Sequence, residues 1–539
     1  MLSLRASDSL IDILGKMTPE GLSSPASIKK ERLASAAFLV LFFSCLSSML
    51  SYLKMYITTS TFGATGSYDA FLVALTLPDV ICNVVVSALG VVFIPLFSEC
   101  ANKEGTEKAR DFLNSLLNWT FLITFSLSFL LVLLSPWVVK IIAPGLDEGG
   151  QRLSAQLMVI MVPIIMTMAL ARLMMGFLQV HHNFNIPALG GVVNLLVIIS
   201  CIYFLSKKWG IYSLAVGMAL GALGWLLLHL PYTFKEIKKY SLNLALPPAT
   251  KKFALAMVPI ILGGSISQLG VVVERALASH LPEGSISYLG YANSLMLLPS
   301  GIFMGVIGTV IFPTLSQQAT QENWQEFRRY FSAGVRMGNL VLVPSAMLLL
   351  FFGNLIIQIL FERGQFLPSM TEGTARALAF YSIGLLVLAP YSMASHCYFA
   401  LQRYWLAVRI VILCTSTGIL LRFLLVKPLA YMGLALATSL TLIIYTIVMI
   451  WCLRDVLEGP EMREILASFL KVFFSSVAAA YGAAFIGSYL NHTQSFVQLS
   501  AILLTGMALY TLFIYFLEVQ EFYSLLELVR KFLRNRTAV

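Results

Sequence analysis

The sequence predicts an all-α polytopic membrane protein of about 14 transmembrane helices arranged in two lobes. Three observations lead there. Across 539 residues, 58% are hydrophobic and 12% charged, with a mean hydropathy of +0.84, whereas soluble domains run at about 45–50% apolar and about 25% charged. The apolar residues come in runs matching the roughly 20 residues that a helix needs to cross about 30 Å of hydrocarbon. The runs are continuous, without the polar alternation of barrel strands, and a helix satisfies its own backbone where no water is available.

Taken in order, the runs lie at 34–59, 69–97, 113–138, 153–178, 186–205, 210–234, 253–280, 288–316, 332–360, 372–400, 404–426, 430–453, 465–488 and 498–518. The 1–33 stretch before them is mixed and polar, lacks an apolar signal core and a small-residue cleavage site, and reads as a cytoplasmic extension. Runs at 34–234 make an amino-terminal transmembrane lobe. Its last two are joined by only Ser206 to Gly210. The stretch 235–252 holds Lys235, Lys238, Lys239, Lys251 and Lys252 and reads as a basic cytoplasmic linker between lobes. A carboxy-terminal lobe at 253–453, two final helices within 454–518 and a basic tail at 519–539 complete the chain.

Charge sets the topology. With the amino terminus inside, the cytoplasmic side collects Lys29, Lys30, Arg32, Lys103, Lys108, Arg110, the linker lysines, Arg328, Arg329, Arg403, Arg454, Arg463, Arg530, Lys531, Arg534 and Arg536. The opposite loops hold far fewer, among them Arg152, Lys207, Lys208 and Arg363. Both termini are therefore expected in the cytoplasm. The two halves carry a faint echo: Phe93-Ile94-Pro95 and Ile311-Phe312-Pro313 each close the second span of their half, and related halves are a common transporter design.

Several classes are excluded on composition and motif. The formal charge of +10 is spread over short loops, which argues against a nucleic-acid face. Cys45, Cys82, Cys201, Cys397 and Cys414 lie within apolar runs without paired spacing, so neither a disulfide framework nor a metal site is expected. His181-His182 lack the i,i+4 spacing of a metal pair, and His229 and His396 read as core histidines. No nucleophile elbow, P-loop or dinucleotide fingerprint is present, so no catalytic residue is expected, no cofactor is implied, and the chain reads as a non-enzyme. The driving force would then be a substrate gradient, the membrane potential or a coupled monovalent ion.

Specific residues narrow the reading. The run Phe62-Gly63-Ala64-Thr65-Gly66-Ser67-Tyr68-Asp69-Ala70-Phe71, then Leu77-Pro78-Asp79 and Phe93-Ile94-Pro95, resembles the first two helices of the MurJ (MviN) lipid II flippases. These belong to the multidrug/oligosaccharidyl-lipid/polysaccharide exporter superfamily. The likeness continues through Ala143-Pro144-Gly145, Asn183 to Ala188, Tyr291-Ala292-Asn293, Leu298 to Phe303, Leu360 to Phe366 and Gly433 to Ser439. It implies fourteen helices in two lobes around a central cavity, alternating between inward- and outward-open states. It also implies a bacterial inner-membrane location, a lipid-linked glycan as substrate alongside membrane lipids, cell-wall synthesis proteins as further partners, and no nucleic acid. Export of another lipid-linked glycan, or a non-transporting role as a cell-wall assembly scaffold, are the alternatives.

Sheltering a diphosphate from hydrocarbon calls for cavity cations, and an ionisable group within a span costs about 2.5–3.5 kcal/mol on insertion scales. Lys54, Arg172 and Arg275 are the candidate substrate-binding cations. Asp69 and Glu274 are candidates for gating or ion coupling, with helix-start capping the alternative for Asp69. Ser47, Ser48, Asn293 and Ser294 are polar cavity candidates. The family usually carries arginines in the first helix, after the Leu-Pro pair and in the eighth helix. This chain has Ser48, Cys82-Asn83 and Ser294 there, and keeps charge only at Lys54. Arg172 stands where the family usually has a small or apolar residue.

Overall fold

A computed structural model describes residues 27–524 and 526, apart from 182, 238, 239, 243, 246, 458, 460 and 491–494. The extension up to residue 26, His182, Lys238, Lys239 and the tail arginines from Arg530 onward lie outside the described residues.

The described elements are helices: α1 Ser27–Phe62, α2 Gly66–Ile81, a π turn Cys82–Val86, α3 Ser87–Glu104, α4 Thr106–Ile142, α5 Glu148–Met161, α6 Pro163–Val180, α7 Asn185–Trp209 and α8 Tyr212–Ile237. They continue with α9 Pro248–Ala278, α10 Ser285–Thr320, α11 Trp324–Phe361, α12 Pro368–Leu385, α13 Leu388–Ala400, α14 Tyr404–Cys452, α15 Arg454–Leu457, α16 Glu461–Tyr489 and α17 Ser495–Phe516. Each apolar run falls on one of these helices or on an adjoining pair. Pro78 has no amide hydrogen to give, and one turn later the second span opens into its π turn. Pro163 and Pro248 instead sit in the first turn of α6 and α9, where an amide hydrogen would lack a partner anyway. Among the described residues ten helical segments are long and apolar enough to cross a membrane, or eleven if the pair α12–α13, bent by 49°, is one span.

The described residues pack as two units: one of residues up to Ser287 with Phe361–Met370, the other of Tyr288–Leu360 with those from Thr371 onward. The core of the first unit is aromatic. Phe93 and Phe97 of α3 meet at 5.3 Å, Phe97 meets Phe177 of α6 edge-on at 5.5 Å, and Phe112 of α4 meets Phe253 of α9 at 6.2 Å. Thus α9, beyond the basic linker, packs with α3 and α4. The linker itself is tied along α4. Ser115 Oγ donates to the Ala245 carbonyl (2.8 Å), Asn118 Nδ2 to that of Ser241 (3.1 Å) and Trp119 Nε1 to that of Leu244 (3.2 Å). Helices α3 and α6 approach through reciprocal small residues: a Cβ on Gly176 would lie 2.7 Å from the Phe93 ring, and one on Gly90 would strike the Arg172 guanidinium.

In the second unit Leu340 and Val343 of α11 pack with Val472 of α16 and Ile514 of α17, and Tyr510 donates to the Leu340 carbonyl at 2.8 Å. Arg336 of α11 is buried there between Glu521 (3.0 Å) and Glu464 (3.4 Å). Helix α14 has 49 residues, about 73 Å at 1.5 Å per residue, more than twice a hydrocarbon core. It is two helical arms joined at Ala430, whose φ is 49°. Outward rows such as Phe129, Leu133 and Trp137 on α4 and Phe474, Tyr481 and Phe485 on α16 are exposed, as lipid-facing side chains are.

Candidate functional site

The sequence candidates fall in both units; in the first, Asp69, Glu274 and Arg275 lie toward one end and the others along the spans. At one end of this unit the loops after α1, α4 and α9 converge around a cavity of about 420 Å³ lined by Gly66, Ser67, Asp69, Gly145, Asp147, Ser279, Glu283 and Ile286, among others. Asp69, one turn into α2, is only 3% exposed. Its Oδ2 accepts from the Gly284 amide at 2.7 Å, and its Oδ1 from the Ser287 amide at 2.8 Å and from the Ser287 hydroxyl. The carboxylate thus satisfies the orphan donors at the start of α10 and ties α2 to it. Glu283 reaches back to accept from the Gly66 amide, and Asp147 caps α5 by accepting from Gly150 at 3.0 Å.

Arg275, near the carboxyl end of α9, donates to the Ile286 carbonyl at 3.2 Å. Glu274 beside it is half-buried and engaged. The neighbouring loop 361–370 returns to the first unit. Arg363 donates to the Tyr56 hydroxyl at 2.9 Å with its guanidinium 5.4 Å from that ring, and the Gln365 amide donates to the Ser60 carbonyl at 2.9 Å. Gly63 and Gly364 meet this contact in the left-handed region, with φ of 58° and 59°.

The remaining candidates of this unit are spread along the spans. Lys54 of α1 is half-buried, and no carboxylate among the described residues lies within ion-pair distance of it. Ser47, one face round, approaches Gly191 of α7, while Ser48 is exposed and donates to the Ser44 carbonyl of its own helix at 2.9 Å. Arg172 of α6 lies against Gly90 of α3; its NH1 donates to Met175 Sδ at 3.7 Å, and its buried Nε has no partner among the described residues.

In the second unit Asn293 is half-buried on α10 and Ser294, exposed, donates to the Gly290 carbonyl at 2.8 Å. The histidines occupy packed positions. His229 Nδ1 bonds the Trp225 carbonyl at 2.8 Å, and the His396 ring packs against Phe312 at 5.4 Å. Three features escaped sequence reading. Gly90, inside an unbroken apolar run, carries no signal of its seat for a guanidinium. Arg422, a charge inside the apolar run 404–426, is buried and donates to Thr438 Oγ1 at 3.0 Å. The Arg336–Glu521 pair joins positions far apart in sequence; its only trace is a charge inside the run 332–360.

This arrangement offers cations without acid partners beside α1 and α6, and a carboxylate-stitched, closed end. Comparison with known proteins bears on the family and the fold. The family model described as lipid II flippase MurJ matches residues 58–508. A lipid II flippase MurJ of Burkholderia cenocepacia is 28% identical over 408 residues, covering 73% of this chain and 78% of the relative. Among solved structures, lipid II flippase MurJ in an inward closed conformation superposes with a TM-score of 0.75 at 24% identity, over 89% of this chain and 99% of that one. An inward-facing multidrug resistance MATE family transporter of the MOP superfamily superposes at 0.66 with 12% identity, over 80% and 98%. These two likenesses concern the fold. With the family model spanning most of the chain, this protein belongs to the lipid II flippase MurJ family.

Proposed function

We propose that this protein is a lipid II flippase, moving the undecaprenyl-diphosphate-linked peptidoglycan precursor from the cytoplasmic to the periplasmic leaflet of the bacterial inner membrane by alternating access. The observation that carries it is the family match over 58–508. Lys54 and Arg172, cations within helices and without an acid partner among the described residues, support it as candidate diphosphate contacts. The distribution of lysine and arginine supports a cytoplasmic location for both termini. The carboxylate-stitched end at Asp69 would then face the periplasm. With no P-loop in the sequence, transport is assigned to the membrane potential or a monovalent ion, a charge crossing 100 mV being worth about 2.3 kcal/mol.

The test is depletion of the protein with leaflet-resolved labelling of lipid II, rescued by wild type or by a Lys54→Ala/Arg172→Ala variant. Loss of periplasmic exposure that only wild type restores is the expected result; exposure unchanged on depletion refutes the assignment. A second reading, export of a different lipid-linked glycan, is favoured by Ser48, Cys82-Asn83 and Ser294 standing where the family usually has arginine. Unchanged lipid II exposure together with loss of another surface glycan would select it.

A further inference from the structure

Arg172 is less well supplied than Arg275, Arg336 and Arg422. Arg336 has two carboxylates, Arg275 a backbone carbonyl and Arg422 a threonine hydroxyl. For Arg172 no carboxylate among the described residues lies within ion-pair distance; its described contact is a thioether, a weak acceptor, and its Nε is buried without a partner. It stands eight residues before the end of α6 at Val180, about 12 Å of helix, beyond comfortable reach of that end. A guanidinium stays charged at any accessible pH. A permanent, undersupplied cation at that depth calls for an anion from outside the described chain.

The surroundings fix where that anion would sit. The guanidinium abuts the backbone of α3 at Gly90 with its Nε–Nη2 edge, where an added Cβ would strike both nitrogens and come within 2.6 Å of Cζ. One turn along, Gly176 of α6 receives the Phe93 ring of α3, so the two helices approach closely on both sides of this contact. Against an added Cβ the arginine side chain would have to yield. Gly90 therefore determines the direction of the guanidinium while contributing no polar atom.

We propose that Arg172, seated on Gly90, is an anion site for a diphosphate group, with Gly90 as its positioning residue. This rests on the flippase reading and supplies a phosphate contact at a position outside the family's usual arginines. The shared ligand chemistry is a phosphoanhydride, whose oxygens the terminal Nη groups can bond while the Nε–Nη2 edge is seated on Gly90.

The test uses the full-length protein in detergent micelles, titrated by native mass spectrometry with undecaprenyl diphosphate, inorganic pyrophosphate and undecaprenol. Compared are wild type, Arg172→Met, Gly90→Ala and the double variant. Arg172→Met and Gly90→Ala are each expected to weaken undecaprenyl diphosphate by at least about tenfold, the worth of a charged hydrogen bond, and to leave undecaprenol unchanged. The double variant should bind no more weakly than Arg172→Met alone, because the glycine acts only through the arginine. Pyrophosphate held with the same dependence on Arg172 supports the site with a free anion as its ligand. Undiminished binding in both single variants overturns the proposal, and so does additivity in the double variant, which would make Gly90 a packing residue only. Wild type that moves lipid II yet binds neither diphosphate probe sinks the anion site and leaves the flippase reading standing. Binding through Arg172 in a protein that does not move lipid II does the reverse.

Discussion

Breaking the Arg336–Glu521 pair should cost more than any other single polar change in the second unit. The two side chains are 8% and 1% exposed, and Nε lies 3.0 Å from Oε1. Ser468 Oγ donates to the other carboxylate oxygen at 3.2 Å. Glu521→Gln removes the charge that answers a buried guanidinium and leaves only Glu464, 3.4 Å away and 52% exposed. Loss of one partner of a buried pair costs about 3–5 kcal/mol. The lower end applies here, because the contact between Nε and Oε1 lacks hydrogen-bond alignment and Glu464 still screens the arginine. About 3 kcal/mol corresponds to roughly a hundredfold rise in the opened population. The assay is thermal unfolding in detergent, followed by a thiol-reactive dye at the buried Cys397 and Cys414, with exposed Cys45 replaced to remove background. Replacing both partners, Arg336→Met with Glu521→Met, removes the charges together and should recover most of the loss. Wild-type stability in Glu521→Gln, or a double variant as unstable as the single one, would refute the reasoning.

Other perturbations test other contacts. Asp69→Ala strands the Gly284 and Ser287 donors and should lower stability by about 1–3 kcal/mol, with Asp69→Asn milder because one acceptor oxygen remains; thermal unfolding ranks the two. Gly364→Ala forces a side chain into φ 59° and onto the Ser60 carbonyl, a cost of about 1–3 kcal/mol, so limited proteolysis should cut within 361–370 faster than in wild type. Asp455, bonded by Arg403 at 2.7 and 3.2 Å, is held below the usual carboxylate range chiefly by those bonds. A depressed carboxylate stabilises above its unfolded value, about 3.9, and loses that contribution as pH falls through the lowered value. Its exposed setting limits the effect to about 0.5 kcal/mol. Asp455→Asn should therefore slightly lower the unfolding temperature at neutral pH and flatten its decline on acidification, and an unchanged acid limb would count against the pair.

The helices were legible because lipid leaves the backbone no other choice: a continuous apolar stretch such as 113–138 must close its own hydrogen bonds. Partners were not legible, because hydrophobicity records that a face is buried and not against what. Asp69 finds its donors 215 and 218 residues away, and nothing local in Gly66-Ser67-Tyr68-Asp69 distinguishes that role from capping its own helix. The lysines of 235–252 speak of the membrane's sidedness, a property of insertion. That α9 joins α3 and α4 depends on Phe112 and Phe253 meeting, which charge does not encode. Arg172 was conspicuous as a charge among apolar neighbours, yet its seat at Gly90 exists only through the approach of two helices.

The break in α14 bears on how this protein can be handled. Between Leu425 and Gly433 the chain turns so tightly that a Cβ on the glycine would run into the Leu425 carbonyl, and the turn is completed by Pro428 and by Ala430 at φ 49°. No spare residue is available there. A purification tag, protease site or topology reporter spliced into this corner would pry the two arms apart before it reported on either.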